Sequence, residues 1–190
     1  AVKQLKPDLH LVCDIGGGST EFVLGSLSDL DHLQSISLDI GSVRMTERYI
    51  RSDPPEENEL TKMERAIDKA LDKAARALPR ASEADLIGVA GTVTTLAAVQ
   101  LGLRTYEPEK TNLFRLTDQQ VRRMYRRFSL MTLHERKNLS GIPAGRADVI
   151  VAGSAILFRS MARWSLREVT VSEKDILDGL VIEMLGNNLE

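Results

Sequence analysis

The segment Asp14-Ile15-Gly16-Gly17-Gly18-Ser19-Thr20-Glu21 constrains the fold of this 190-residue chain more than any other segment. It joins two runs rich in β-branched and apolar residues, His10 to Ile15 and Glu21 to Leu24, which are typical of strands. Consecutive glycines permit positive φ and let the backbone come close to a ligand. The pattern therefore predicts a hairpin whose glycine turn presents bare amides to an anion such as phosphate.

The polar residues around this turn extend that chemistry. Ser19 and Thr20 add hydroxyl donors, and Asp14 lies where a carboxylate would repel phosphate unless it held a divalent cation or oriented water. Mg²⁺ is the cation expected. On the residues alone the alternative is a glycine hairpin in which Asp14 satisfies backbone amides and Glu21 is an exposed strand charge.

Two further segments are candidate anion sites. Gly88-Val89-Ala90-Gly91-Thr92 ends an apolar strand and opens a helix, so its amides and the helix dipole could meet an anion. The competing interpretation is a tight strand-to-helix turn with Thr92 as the N-cap. In Ile142-Pro143-Ala144-Gly145-Arg146-Ala147-Asp148, Arg146 is a candidate phosphate ligand, and Asp148 is expected to stabilise a helix start.

The remaining periodicities predict strands that alternate with helices after an opening meander, which favours a mixed α/β sheet flanked by helices. Thr117 with Gln120, and Thr132 with Glu135, have capping-box spacing. The predicted strands are Leu33 to Ile40, Asp85 to Ala90, Leu113 to Leu116 and Glu168 to Val171. The predicted helices are Ser42 to Ile50 with Ser42 as cap, 56–78, Thr92 to Leu101, Arg146 to Trp164 and Asp175 to Leu185.

Composition narrows the class of protein. The chain is 43% hydrophobic and 27% charged, as expected of one globular domain, and its formal net charge of −2 does not suggest nucleic-acid binding. No apolar stretch approaches the roughly 20 residues of a membrane span. Cys13 is the only cysteine, which we expect to be buried and inert, and this fits a reducing cytoplasm.

One helix carries a dense basic pattern. Arg122, Arg123, Arg126 and Arg127 form two i,i+4 rows, and the surrounding residues 115–137 contain few acids. We expect this face to attract a polyanion, and the alternative is an ordinary solvated helix surface.

Five blocks in this order carry a resemblance that covers nearly the whole chain: DIGGGSTEFVLG, SLDIGSVRMTERY, GVAGTVTTLAA, IPAGRADVIVAG and VSEKDILDGLV. They resemble the exopolyphosphatase and guanosine pentaphosphate phosphatase family of the actin-like ATPase superfamily. In that family two domains of ribonuclease-H-like topology close on phosphates, and this chain resembles the second. The resemblance implies Mg²⁺ or water on Asp14 and Glu21, one phosphate loop at Gly16 to Ser19 and another at Gly91-Thr92.

The resemblance also implies what the chain lacks. The family's first domain carries another phosphate loop, and the acid usually given the role of catalytic base precedes the DIGGGST segment; residues 1–9 supply neither. We therefore expect a piece of a phosphohydrolase with half its site. Some members of that family add an HD-type C-terminal domain, and shorter members lack it.

The expected partners are inorganic polyphosphate or guanosine pentaphosphate, the first domain of the same protein, and a second copy of the chain in a homodimer. Neither nucleic acid nor membrane is expected. The rival function is a non-catalytic sensor that binds guanosine tetra- or pentaphosphate or polyphosphate. A sugar or acetate kinase of the same superfamily would need an adenosine pocket that the sequence does not indicate.

Overall fold

The computed structural model describes residues 9–26, 28–143 and 145–174, and within this part of the chain six strands form one mixed sheet in the order β3-β2-β1-β4-β6-β5. The strands are β1 Leu9–Ile15, β2 Thr20–Ser26, β3 Asp29–Leu38, β4 Asp85–Val89, β5 Arg115–Thr117 and β6 Glu168–Val171. The helices are α1 Ser42–Tyr49, α2 Glu57–Ala77, α3 Ala90–Leu101, α4 Pro108–Thr111, α5 Asp118–Ser129, α6 Leu133–Lys137 and α7 Ile150–Arg163.

Strand directions explain how distant segments meet at one end of the sheet. β1, β2 and β3 form an antiparallel meander, β4 runs parallel to β1, and β6 runs parallel to β4. β5 pairs antiparallel to β6 at the far edge. The carboxyl ends of β1, β4 and β6 therefore lie side by side, which we call the carboxyl end of the sheet. The predicted meander and mixed sheet are confirmed.

Helices α2, α3, α5 and α7 enclose the main core against the sheet. The apolar stripe of α2 is fully buried at Met63, Ile67 and Leu71, as its periodicity predicted. Phe22 of β2 meets Trp164, just after α7, edge-on with ring centroids 5.1 Å apart. No helix in the described residues is long and apolar enough to span a bilayer.

Several predicted boundaries were wrong. The strand predicted from Leu33 to Ile40 starts at Asp29 and ends at Leu38. The predicted strand Leu113 to Leu116 starts at Arg115, because Leu113 has φ 63° and donates its amide to Val171. The helix predicted from Arg146 starts at Ile150, because the preceding residues form turns in which the Arg146 amide donates to Pro143. Ala90 begins α3 instead of ending β4. The predicted helix Asp175 to Leu185 lies outside the described residues.

Candidate active site

Asp14 and Glu21 are directly opposite each other in the pairing of β1 with β2. Opposed residues of an antiparallel pair point to the same face, with β-carbons about 5 Å apart. Their face is opposite that of Cys13 and Ile15, which are buried in the core, because side chains alternate along a strand. Glu21 accepts a hydrogen bond of 2.6 Å from the Ser37 hydroxyl on β3. The sheet thus places both predicted carboxylates together beside the glycine turn.

The glycine turn is tied to the start of α1 through its carbonyl groups. The Gly16 amide donates to Ser19 across the turn at 3.0 Å. The carbonyls of Gly16 and Gly17 accept from the amides of Ser42 at 2.9 Å and Arg44 at 3.0 Å. The Gly18 carbonyl accepts from the Arg44 guanidinium at 2.6 Å.

Because the carbonyl groups of the turn face α1, its backbone amides point to the opposite side. Among the residues that the structure describes, none accepts a hydrogen bond from the amides of Gly17, Gly18 and Ser19. Successive amides of this kind form a concave site for phosphate oxygens. The geometry supports the predicted phosphate loop, and its role in binding stays a prediction.

Gly41 lets α1 approach the turn this closely. A β-carbon at Gly41 would lie 2.3 Å from the Gly17 carbonyl oxygen, which no side chain could tolerate. Gly41 is the N-cap of α1, so the prediction of Ser42 as the cap was wrong. The reason is that the Ser42 amide and hydroxyl both point at the Gly16 carbonyl.

Thr20 has a structural partner in this fold. Its side chain is fully buried, and its hydroxyl donates to the carbonyl of Ile40 at 2.5 Å. This bond joins β2 to the segment before α1, so it helps fix the turn. A contact between the Thr20 hydroxyl and a ligand stays a prediction.

The second candidate loop adjoins the first. Val89 pairs with Asp14 in the parallel register, so α3 begins one strand away, about 4.8 Å across the sheet. The first amides of a helix have no partner within it, and no side chain caps α3. Ala90 has φ 66°, an unusual conformation for a residue with a β-carbon, and such outliers cluster at functional sites. Thr92 lies inside α3, and Val89 is the N-cap, so the alternative of a Thr92 cap is wrong.

Arg146 meets α3 at Gly91. A β-carbon at Gly91 would lie 2.3 Å from Nη2 of Arg146, so the guanidinium packs directly on the glycine. Arg146 is half-buried there. A positive side chain therefore lies beside the positive end of the α3 dipole, which is an arrangement that favours an anion.

The two carboxylates fit the donor set that Mg²⁺ prefers. Mg²⁺ is usually held by one or two carboxylates with water and substrate phosphate oxygens, and Asp14 and Glu21 offer two carboxylates beside an amide nest. No group of three or more His, Cys, Asp or Glu that could hold a metal occurs within the described ranges. Cys13 is buried, and burial, with the charges of Asp14 and Glu21, raises the pKa of its thiol, so the prediction of an inert thiol is supported.

Sequence reasoning missed Arg44, and it wrongly grouped Arg136 with the exposed basic residues of 115–137. Arg44 lies in the block SLDIGSVRMTERY, but its role depends on α1 folding back on the turn. Arg136 is only 4% exposed and donates to the carbonyl of Ala147, next to Arg146. Nothing in the local pattern of α6 distinguishes it from a surface arginine.

The meander, the parallel strands and the two amide-rich turns define an α/β domain of the ribonuclease-H-like, actin-type ATPase class. The chain belongs to the Ppx/GppA phosphatase family, whose sequence profile matches residues 1–188. It is 39% identical over 182 residues to Exopolyphosphatase 2 of Mycobacterium tuberculosis. The aligned region covers 93% of this chain and 56% of that protein.

Two further comparisons agree with this assignment. The crystal structure of the type II variant of the Aquifex aeolicus Ppx/GppA phosphatase matches with a TM-score of 0.85 and 31% identity, over 95% of this chain and 59% of that one. The guanosine-5'-triphosphate,3'-diphosphate pyrophosphatase of Aeromonas salmonicida is 27% identical over 179 residues, 94% of this chain and 34% of that protein. The chain thus spans about half the length of the exopolyphosphatase it matches.

Proposed function

We propose that this chain is the second domain of a Mg²⁺-dependent enzyme that hydrolyses the terminal phosphoanhydride bond of inorganic polyphosphate or guanosine pentaphosphate. One observation carries the proposal: the bare amides of the glycine turn, the start of α3 and Arg146 converge beside the Asp14–Glu21 pair. Two relatives are named for these two activities, an exopolyphosphatase and a guanosine pentaphosphate pyrophosphatase.

Each element has a separate task in this reaction. The amides of Gly17 to Ser19 and of Gly91-Thr92 bind phosphoryl oxygens, and Arg146 offsets their charge. Mg²⁺ held by Asp14 and Glu21 would neutralise further oxygens of the transferred group. A carboxylate accepts a proton from a water molecule while the oxygen of that water attacks the terminal phosphorus. The anhydride bond then breaks and releases phosphate and the shortened substrate.

The proposed active site requires residues from a second domain. The chain covers 56% of its mycobacterial relative, and the sequence does not contain the phosphate loop that the resemblance assigns to the first domain. We propose that a preceding domain of the same protein supplies that loop and the catalytic base. This domain would also contribute to the choice between polyphosphate and guanosine pentaphosphate.

Turnover by the longer protein that contains this chain tests the proposal. We expect Mg²⁺-dependent release of phosphate from polyphosphate or guanosine pentaphosphate, whether or not ADP is present. Tight binding of either compound without turnover would support a sensor instead. Formation of ATP only when ADP is added would indicate a kinase and contradict hydrolysis.

A further inference from the structure

Arg136 is a buried arginine that bridges separate segments of the chain. Its Nη1 donates to the carbonyls of Phe128 at 3.1 Å and Met131 at 2.5 Å, at the end of α5. Its Nε donates to the carbonyl of Ala147 at 2.9 Å. One planar guanidinium therefore ties the segment before α7 to the end of α5, which the single ammonium of a lysine could not do with the same geometry.

The segment that Arg136 holds is the one that carries Arg146. The Arg146 amide donates to Pro143 at 2.9 Å, and its carbonyl accepts from Ile150 at 2.9 Å as α7 begins. Ala147, whose carbonyl Arg136 holds, is fully buried. The backbone is thus fixed on both sides of Arg146, and only its side chain extends to Gly91.

The charge of Arg136 is retained in this position. Burial lowers the pKa of the guanidinium, while the nearby carboxylates of Asp53, Asp148 and Glu135 act in the opposite direction. Asp53 Oδ1 lies 3.8 Å from Arg136 Nη2 and also accepts from the amide of Leu133 at the start of α6. An arginine stays protonated under such conditions, so the three carbonyls keep a charged donor.

We propose that Arg136 is a positioning residue that holds the Arg146 segment so that the Arg146 guanidinium stays on Gly91 at the start of α3. The consequence for phosphate affinity rests on the proposed function. The consequence for the Arg146 segment does not, and both can be measured.

The experiment compares Arg136→Gln, Arg146→Gln and the double variant in the full chain. The first measurement is the Gly91 amide chemical shift, together with hydrogen exchange of the Val149 and Ile150 amides, which both donate to the Arg146 carbonyl. We expect Arg136→Gln to shift the Gly91 signal in the same direction as Arg146→Gln and to accelerate exchange at these two amides selectively. Arg80→Gln, at an exposed pair with Glu83, is the control and should change neither.

The second measurement is the affinity for tripolyphosphate. Each single variant is expected to weaken binding about tenfold, the loss of one charge-assisted contact. Because Arg136 acts through Arg146, the double variant should bind no more weakly than Arg146→Gln alone. Losses that multiply would overturn the proposal, since they would mean that the two residues act independently.

Two further outcomes are distinguishable. If Arg146→Gln leaves tripolyphosphate affinity unchanged, the proposed phosphate role fails, while the Gly91 shift and the exchange rates still decide whether Arg136 positions Arg146. If Arg136→Gln does not fold, Arg136→Lys replaces it, because lysine keeps the charge and loses the fork. An Arg136→Lys protein with a wild-type Gly91 signal and wild-type exchange would overturn the proposal.

Discussion

Gly41 and Gly91 are two glycines beside the candidate site where other atoms come closer to the backbone than a β-carbon permits. At Gly41 the neighbour is the glycine turn itself, and at Gly91 it is the Arg146 guanidinium. The neighbour at Gly41 is backbone and cannot move aside, whereas that at Gly91 is the end of a flexible side chain. Substitutions at the two positions should therefore fail in different ways.

Gly41→Ala should destabilise the protein by about 1–3 kcal/mol, because the new methyl group overlaps the Gly17 carbonyl and forces the turn away from α1. Denaturant unfolding measures the change. Gly145→Ala is the matched control: a β-carbon there meets nothing within 4 Å, so its stability should stay within about 0.5 kcal/mol of wild type. Equal stability of both variants would show that the turn can withdraw without cost.

Asp14→Asn in the longer protein should lower turnover of polyphosphate more than it lowers binding. The amide keeps the shape of the side chain but loses the charge that would position Mg²⁺, while the amides of Gly17 to Ser19 remain. The kinetic constants at limiting Mg²⁺ test this. Asp31→Asn, on the exposed part of β3, is the control and should leave turnover and binding unchanged. Unchanged turnover of the Asp14 variant would refute the metal role.

The start of α1 stabilises the glycine turn through backbone hydrogen bonds. Its first amides would otherwise lack partners, and they take the carbonyls of Gly16 and Gly17 instead. Each element thereby satisfies the other, and among the described residues the amides of Gly17, Gly18 and Ser19 have no hydrogen-bond partner. At the carboxyl end of α7, ion pairs join Arg159 to Asp68 and Arg163 to Asp72, which fixes this end of the helix to α2.

The arginines of α5 are exposed, as expected both of a polyanion-binding face and of an ordinary solvated helix surface. In the described ranges no carboxylate pairs with Arg122, Arg123, Arg126 or Arg127, although Arg122 lies 5.7 Å from the Phe158 ring centroid. By contrast, Arg115 is paired with Glu168. The role of the four arginines stays a prediction.

Changing these four arginines to Gln should weaken binding of long polyphosphate much more than of short chains. The slope of log affinity against log salt should fall by up to about 3 for the long chain, at roughly 0.7 per lost charge if polyphosphate behaves as a single-stranded nucleic acid does. The control changes Lys62, Arg65, Lys69 and Lys73, on the exposed part of α2, to Gln. An unchanged salt slope would leave the α5 arginines as ordinary surface.

The described residues share one hydrophobic core, so we expect this domain to fold on its own. The sheet and the helices α2, α3, α5 and α7 share one continuous cluster of buried apolar residues. The candidate site, in contrast, lies at the carboxyl end of the sheet, where the proposed first domain would close. Stability and catalysis should therefore separate when the chain is studied alone.

The 190-residue chain should unfold cooperatively and yet release phosphate from polyphosphate at a rate roughly two orders of magnitude or more below that of the longer protein. The chain alone would lack the proposed catalytic base and the phosphate loop of the first domain. Circular dichroism during urea titration and phosphate release at equal molar concentration measure the two properties. Equal specific activity would mean that the base lies within this chain, with Glu21 as the first candidate.

Local sequence patterns predicted most helices and strands of this protein and the residues around the glycine turn. Alternating apolar residues and three glycines define the β1–β2 hairpin, and a stripe at three- and four-residue spacing defines α2. These signals are local, because side-chain direction follows the period of the strand or helix. The family resemblance, carried by five ordered blocks, gave the fold class.

Which of these residues come into contact depends on the packing of distant segments and could not be predicted from local patterns. Parallel pairing of β1 with β4 places α3 beside the glycine turn. The folding back of α1 brings its first amides to the carbonyl groups of that turn. The contact of Arg146 with Gly91, and the support of that segment by Arg136, join residues far apart in the chain. No local period specifies such contacts, because they depend on how whole elements pack, and packing is settled only when the core is complete.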